Sequence, residues 1–174
     1  MAASYLDFIR DWTYIGDLIM KKNRHRKHGF VLLVVYLVLL TYYLFFAEAM
    51  GRTPDSHTEY SYNLVLFKEI RRFIVHRELL GYRAVILNLV GNVVAFMPFG
   101  FILPEVWDQL NRWYTITMLG FLFSLGIEIA QLTARVGSFD VDDLLLNTIG
   151  ALIGYFAFVL AKGVWNNYCG ENWK

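Results

Sequence analysis

Four long apolar blocks limit what this chain can become. Phe30 to Ala47 runs 18 residues without a charge, and Ala84 to Leu103, Trp113 to Thr133 and Leu144 to Ala161 are of similar length. A helix needs about 20 such residues to cross the hydrocarbon of a bilayer. With 57% of its residues hydrophobic, the chain exceeds the roughly 45–50% expected of a water-soluble domain. The pattern predicts an all-α fold: one membrane domain, a four-transmembrane-helix bundle. Its parts are an amphipathic segment at 1–27, span 1 at 28–50, a loop at 51–83, and spans at 84–104, 113–134 and 142–162. The first block starts too late, is too long and lacks a small-x-small site before Glu48, so it reads as a retained span rather than a cleaved signal.

Lys21, Lys22, Arg24, Arg26 and Lys27 crowd the approach to the first span. The positive-inside rule keeps such a cluster cytoplasmic. Four crossings then return the C-terminus, with Lys162 and Lys174, to the same side. The loop between spans 1 and 2 is predicted to lie outside, although Arg52, Lys68, Arg71, Arg72, Arg77 and Arg83 count against that placement. Net charge is +1, which gives no reason to expect a nucleic-acid partner. The basic cluster instead suits anionic lipid head groups. Cys169 is the single cysteine and has no partner for a disulfide, and the four histidines lack metal-ligand spacing. Neither a metal nor a cofactor is predicted.

Two stretches outside the spans are amphipathic. Tyr5, Phe8, Ile9, Trp12, Ile15 and Ile19 recur at helical spacing opposite Asp7, Arg10, Asp11 and Asp17, as in a helix lying in the membrane interface. Within the loop, Leu66, Phe67, Ile70, Phe73 and Ile74 share a face against Lys68, Glu69, Arg71 and Arg72. Anchoring is the commoner role of such helices; the alternative is a docking surface for a partner at the first and contact with a phosphate-bearing lipid or polymer at the second.

The spans themselves carry polar stripes. Asn88, Gly91, Asn92, Ala95 and Phe99 align in the second, and Pro98 is expected to kink it. Thr117, Ser124, Glu128, Gln131 and Arg135 align in the third; Asp143, Asn147, Gly150 and Gly154 align in the fourth. At 1.5 Å per residue, Asn88 and Asn92 lie about 6 and 12 Å into their helix, Glu128 roughly 9 Å from the end of its own, and Asn147 roughly 8 Å below the start of the last. One shared depth predicts one polar cluster in the outer half of the membrane. Gly150 and Gly154 form a small-x3-small pair that permits close helix approach.

Each polar residue has a plain structural reading as well as a functional one. Amides across membrane helices commonly hold helices together, at about 0.6–2 kcal/mol each. Glu128 is either paired, with Arg135 two turns away, or functional. Of Asp140, Asp142 and Asp143, one serves as an N-cap; the surplus suggests pairing with Arg135 or the loop arginines, or a bound cation.

These residues resemble the VanZ-like family, named for a determinant of teicoplanin resistance in bacteria. The resemblance rests on Asn88-x3-Asn92-x5-Pro98-x-Gly100, then Glu128-x2-Gln131-x3-Arg135-x4-Asp140-x-Asp142-Asp143-x3-Asn147-x2-Gly150-x3-Gly154. Family members often carry Asn-Leu-x-Pro-Phe before the second span; here Asn63-Leu-Val-Leu66-Phe67 has leucine in the proline's place. The resemblance implies a protein of the bacterial cytoplasmic membrane that lowers susceptibility to lipidated glycopeptide antibiotics.

Two mechanisms remain open from the residues. In the first, Asn88, Asn92, Glu128, Gln131, Arg135, Asp140, Asp142, Asp143 and Asn147, with the outer basic helix, bind an envelope lipid or a lipid-linked cell-wall precursor or surface polymer. In the second, Glu128 is the acid or base of an integral-membrane enzyme acting on such a lipid. A small transporter is a third option, though four helices without a visible repeat make a thin pathway.

Overall fold

The computed structural model describes residues 26–44, 62–135 and 137–169. The amphipathic stretch from Tyr5 to Ile19, the basic residues Lys21 to Arg24, the end of the first span at 45–50, the loop around Pro54 and Lys174 lie outside the described residues. Helix α1 covers 26–44. A two-residue strand β1 (Tyr62–Asn63), the short helices α2 (Lys68–Val75) and α3 (Arg77–Leu80), and the long helix α4 (Tyr82–Val106) follow. A 3-10 turn at Asp108–Leu110 leads into α5 (Trp113–Thr133). Strand β2 (Phe139–Asp140) then opens directly into α6 (Val141–Cys169). Among the described residues, α4, α5 and α6 are long and apolar enough to cross a membrane. The fold is an all-α membrane bundle.

The bundle is turned inside out relative to a soluble one. In the apolar windows of α4, α5 and α6, 17%, 28% and 39% of residues are buried, so few side chains are fully enclosed and large apolar ones remain exposed. Val31, Val35 and Leu39 on α1, Ile86 and Val90 on α4, Met118 and Leu122 on α5, and Ile153 and Leu160 on α6 are exposed. Water would penalise such a surface, whereas lipid matches it. The inner core is small: Leu33, Phe99, Leu103, Ile116, Ala151 and Tyr155. Phe99 and Phe123 stack within it with ring centroids 5.0 Å apart.

Long-range contacts set the directions. The Arg26 Nε donates to the Val106 carbonyl at 3.1 Å and the Tyr36 hydroxyl to the Ala95 carbonyl at 2.8 Å, so α1 runs antiparallel to α4. Ser124 faces Asn147 and Gly120 faces Ala151, so α5 runs antiparallel to α6. Helices α4 and α6 run side by side in the same direction: Val93 meets Gly150, Met97 meets Gly154, and Phe101 meets Phe158 edge-on at 6.0 Å. One end of the bundle therefore gathers the starts of α4 and α6, the ends of α1 and α5, and the β1–α2–α3 segment. The other end gathers Arg26, the α4–α5 turn and the last turns of α6.

Hydrocarbon gives helices little reason to associate, so close backbone packing has to do it. A Cβ placed on Gly150 would overlap the Val93 carbonyl, one on Gly154 the Met97 carbonyl, and one on Gly100 the Ala151 carbonyl. Three glycines thus hold α4 and α6 at backbone contact. Gly91, on the same α4 stripe by spacing, has open space where its Cβ would stand.

Gly154→Ala is expected to lower the thermal midpoint of the detergent-solubilised protein by the equivalent of about 1–3 kcal/mol, the usual result of overpacking. Gly91→Ala, also helical but unobstructed, should be neutral or mildly stabilising. Equal midpoints for the two variants, followed by circular dichroism, would refute the backbone contact between α4 and α6.

Candidate functional site

The polar residues at the gathered end organise around the start of α6. A helix leaves its first N–H groups without intrahelical partners, and a preceding Asp accepts well from them. Asp140 does so: its Oδ1 accepts the Asp142 N–H at 2.8 Å. The same oxygen accepts from Asn63 Nδ2 at 3.2 Å. Asp140's own N–H is taken by Glu128 Oε2 at 2.9 Å. Asn63 and Asp140 are also partners in the short parallel ladder of β1 with β2, where Tyr62 sits beside Phe139. Asn63 Oδ1 accepts the Val65 N–H at 3.2 Å, the Asx turn that ends the strand.

Asp142 is 1% exposed and acts across the molecule. Its Oδ1 accepts the Phe67 N–H, and its Oδ2 accepts those of Glu69 and Ile70 at 2.8 and 3.1 Å. Helix α2 is preceded by Phe67, left-handed at φ 64° and without a side-chain cap. A bulky residue in that conformation costs about 1–2 kcal/mol. The Asp142 carboxylate supplies the missing cap from the next polypeptide layer. It fixes α2 against the end of the bundle.

Further in, Asn92 Nδ2 donates to Asp143 Oδ1, joining α4 to α6. Asn147 Nδ2 donates to Ser124 Oγ at 2.9 Å, joining α6 to α5. The Asn147 Oδ1 is buried without a partner among the described residues. Gln131 turns the other way, its Nε2 donating to the Leu44 carbonyl at the end of α1 at 3.1 Å. Asn88 lies half-buried one turn before Asn92, with no side-chain hydrogen bond among the described residues. Arg135 leaves the stripe expected of it, because α5 stops at Thr133 and residue 135 is exposed at φ 54°.

Asn92, Glu128, Asp140, Asp142, Asp143 and Asn147 are therefore brought together at one end, Gln131 faces α1, and Asn88 and Arg135 stand at the edges. All three aspartates find N–H donors among the described residues. Their oxygens are aimed at N–H donors: those of α2, of α6 itself and of two asparagine amides. Among the described residues no group of three or more His, Cys, Asp or Glu is arranged to hold a metal ion. Asn63 is the structural residue that spacing arguments miss, and its turn-forming position two residues before Val65 is the signal that marks it.

Burial pushes the Asp140 carboxyl above its ordinary value. The Asp142 N–H and Asn63 amide oppose this, while the charges of Asp142 and Glu69 add to it. Beside the cluster, the stretch from α2 to the start of α4 carries exposed cations. Lys68, Arg71, Arg77 and Arg83 are exposed and have no ion-pair partner among the described residues. Arg72 is engaged by Glu69 at 2.8 Å and lies over the Phe73 ring. At the opposite end of the bundle, Phe99, Leu103, Trp107, Gln109, Leu110 and Leu119 line an apolar depression of about 320 Å³, far from any of these charges.

Two variants test the arrangement. Asp142→Asn replaces one accepting oxygen by an NH2 group facing backbone N–H donors, a loss of about 1–3 kcal/mol. Amide exchange is expected to quicken in 62–75 and stay slow in α4–α6; unaltered exchange would mean that Asp142 does not hold α2. For Asp140 the raised value means that the folded state binds the proton more tightly. Stability contributed by its neutral form is lost as pH rises from the ordinary value of 3.8 through the shifted one. Asp140→Asn keeps an accepting oxygen and cannot ionise. Its thermal midpoint at pH 7 should equal or exceed the parent's, with the gap closing towards pH 4; a midpoint well below the parent's at pH 7 would contradict this.

Comparison with known proteins places this architecture. Over 75 residues the chain is 27% identical to Protein VanZ of Enterococcus faecium, which covers 43% of this chain and 46% of that protein. The aligned part is thus under half the length of that relative. No solved structure gives a significant match. The VanZ/LLP1 family model matches residues 33–162, from the packed face of α1 through the glycine contacts of α6 and including every residue of the polar cluster. This helical membrane protein belongs to the VanZ/LLP1 family.

Proposed function

We propose that this protein resides in a bacterial cell membrane and lowers susceptibility to teicoplanin-type glycopeptide antibiotics. It does so by binding an anionic envelope lipid, or a lipid-linked cell-wall precursor or surface polymer, at the end of the bundle that carries α2. Membership of the VanZ/LLP1 family supports the phenotype. The basic cluster from Lys21 to Lys27 ahead of the first span supports an outward orientation for α2 by the positive-inside rule, with the basic residues of the loop between spans 1 and 2 counting against it. The observation that carries the binding reading is the exposed set Lys68, Arg71, Arg77 and Arg83, without an ion-pair partner among the described residues, on a segment whose helix α2 is fixed at its start by Asp142.

In this reading the work is divided. The membrane-embedded acids and amides form the base, and head-group recognition falls to the cations above them. Phosphate-bearing ligands favour such a face, and each Lys or Arg near an anionic surface contributes about 1 kcal/mol. The enzymatic alternative, with Glu128 as acid or base, draws no support from the geometry. Glu128 is 3% exposed and accepts the Asp140 N–H, a structural duty that leaves its carboxylate turned into the protein.

The test is expression in a glycopeptide-susceptible Gram-positive host at matched membrane levels. The parent should raise the teicoplanin concentration needed to stop growth. The double variant Lys68→Gln/Arg71→Gln should lose that rise, having lost about 2 kcal/mol, roughly thirty-fold, in binding to the anionic ligand. An unchanged susceptibility with the parent defeats the resistance reading. A fully active double variant defeats the cationic-face reading.

A further inference from the structure

The segment from β1 to the start of α4 combines properties that the binding of a head group does not require. Leu64, Val65, Phe67, Ile74 and Leu79 are all exposed, Leu79 to 85%. Ile70 and Phe73 of α2 are half-buried, so the apolar side of the segment is wider than its contact with the bundle uses. A run of large apolar residues left open in this way marks an interaction surface.

Its height is fixed at both ends. At the near end, Gly81 alone separates α3 from α4, so Leu79 stands within one turn of the residue where the membrane-crossing helix begins. At the far end, β1 pairs with β2 immediately before α6, and Asp142 in the first turn of α6 holds the first N–H groups of α2. Both α4 and α6 begin at this level. A segment tied to two helix starts runs along the bilayer face rather than out into water.

The charges agree with that placement. Lys68, Arg71, Arg77 and Arg83 are exposed along the same stretch, and long cationic side chains reach the phosphate level while their stems lie over apolar surface. An amphipathic helix with a cationic face seats its apolar side at the boundary of head groups and acyl chains.

We infer that Tyr62–Gly81 is an interfacial platform whose exposed apolar side is seated in the lipid leaflet around the bundle. Phe67, Ile74 and Leu79 lie below the phosphates, and Lys68, Arg71 and Arg77 lie at their level. The occupant of the apolar surface is lipid, not a protein partner. The inference needs neither an antibiotic nor any particular envelope polymer, so it stands apart from the function proposed above.

The single cysteine makes the test direct. In a Cys169→Ser background, Leu79→Cys, Ile74→Cys and Arg71→Cys are each labelled with a nitroxide. The protein is reconstituted in vesicles of phosphatidylcholine and phosphatidylglycerol, and relaxation by oxygen is compared with relaxation by a water-soluble nickel chelate. At positions 79 and 74 oxygen is expected to dominate, at a depth below the phosphates; at 71 the chelate should dominate. Chelate-dominated labels at 79 and 74 would place the segment in water and overturn the inference. Labels at 79 and 74 shielded from both reagents, with spectra that sharpen on dilution with unlabelled protein, would assign the surface to a second copy of the chain and overturn it equally. Because 79 and 71 are exposed, their labels disturb no packing, and circular dichroism confirms that each labelled protein retains its helices. Antibiotic susceptibility enters none of these readouts, so a failure here and a failure of the resistance assay are distinguishable.

Discussion

One carboxylate ties together two parts of the chain that are far apart in sequence. Asp142 accepts from Phe67, Glu69 and Ile70, up to 75 residues away, and is itself sealed from solvent. An ion in such surroundings needs several donors, and backbone N–H groups at a helix start provide them without a cation. The consequence reaches beyond that one bond. With Asp142 satisfied by N–H groups, Lys68, Arg71 and Arg77 of α2 and α3 stay exposed. A pairing of Asp142 with an arginine would have drawn that charge inward.

The second constraint is steric. Gly150 and Gly154 let α6 lie against the carbonyls of Val93 and Met97, and Gly100 returns the contact from α4 to Ala151. This contact sets the register of the two parallel helices. The register places Asn92 beside Asp143 and leaves the first turn of α6 open to meet β1 and α2. Helix α5 then closes the group from the other side, with Ser124 against Asn147 and Glu128 against the Asp140 N–H. The polar cluster and the apolar seam are therefore two products of one packing arrangement.

Much of this is readable from residues alone, and what is not has a physical reason. Uncharged blocks near 20 residues announce membrane helices, because the bilayer imposes a length. Depth arithmetic brings Asn88, Asn92, Glu128 and Asn147 to one level, because the rise of a helix is constant. The partners of Asp142 are not readable, since a backbone N–H has no residue identity and any stretch of the loop could have supplied it. Arg135 departs from its stripe because the helix stops two residues earlier, and spacing rules hold only while the helix continues. Gly91 shares its spacing with the packed positions yet meets nothing, since a face is selected by its neighbours rather than by period alone.

The ladder between β1 and β2 also orders events during synthesis. Strand β1 leaves the ribosome before α4, whereas β2 and Asp142 follow α5. Until the last helix is delivered to the membrane, α2 has no external acceptor for its first N–H groups, and Asn63 has no Asp140 to meet. The platform can be laid down early but latched only at the end. Completion of this end of the bundle thus waits on the last helix to be made.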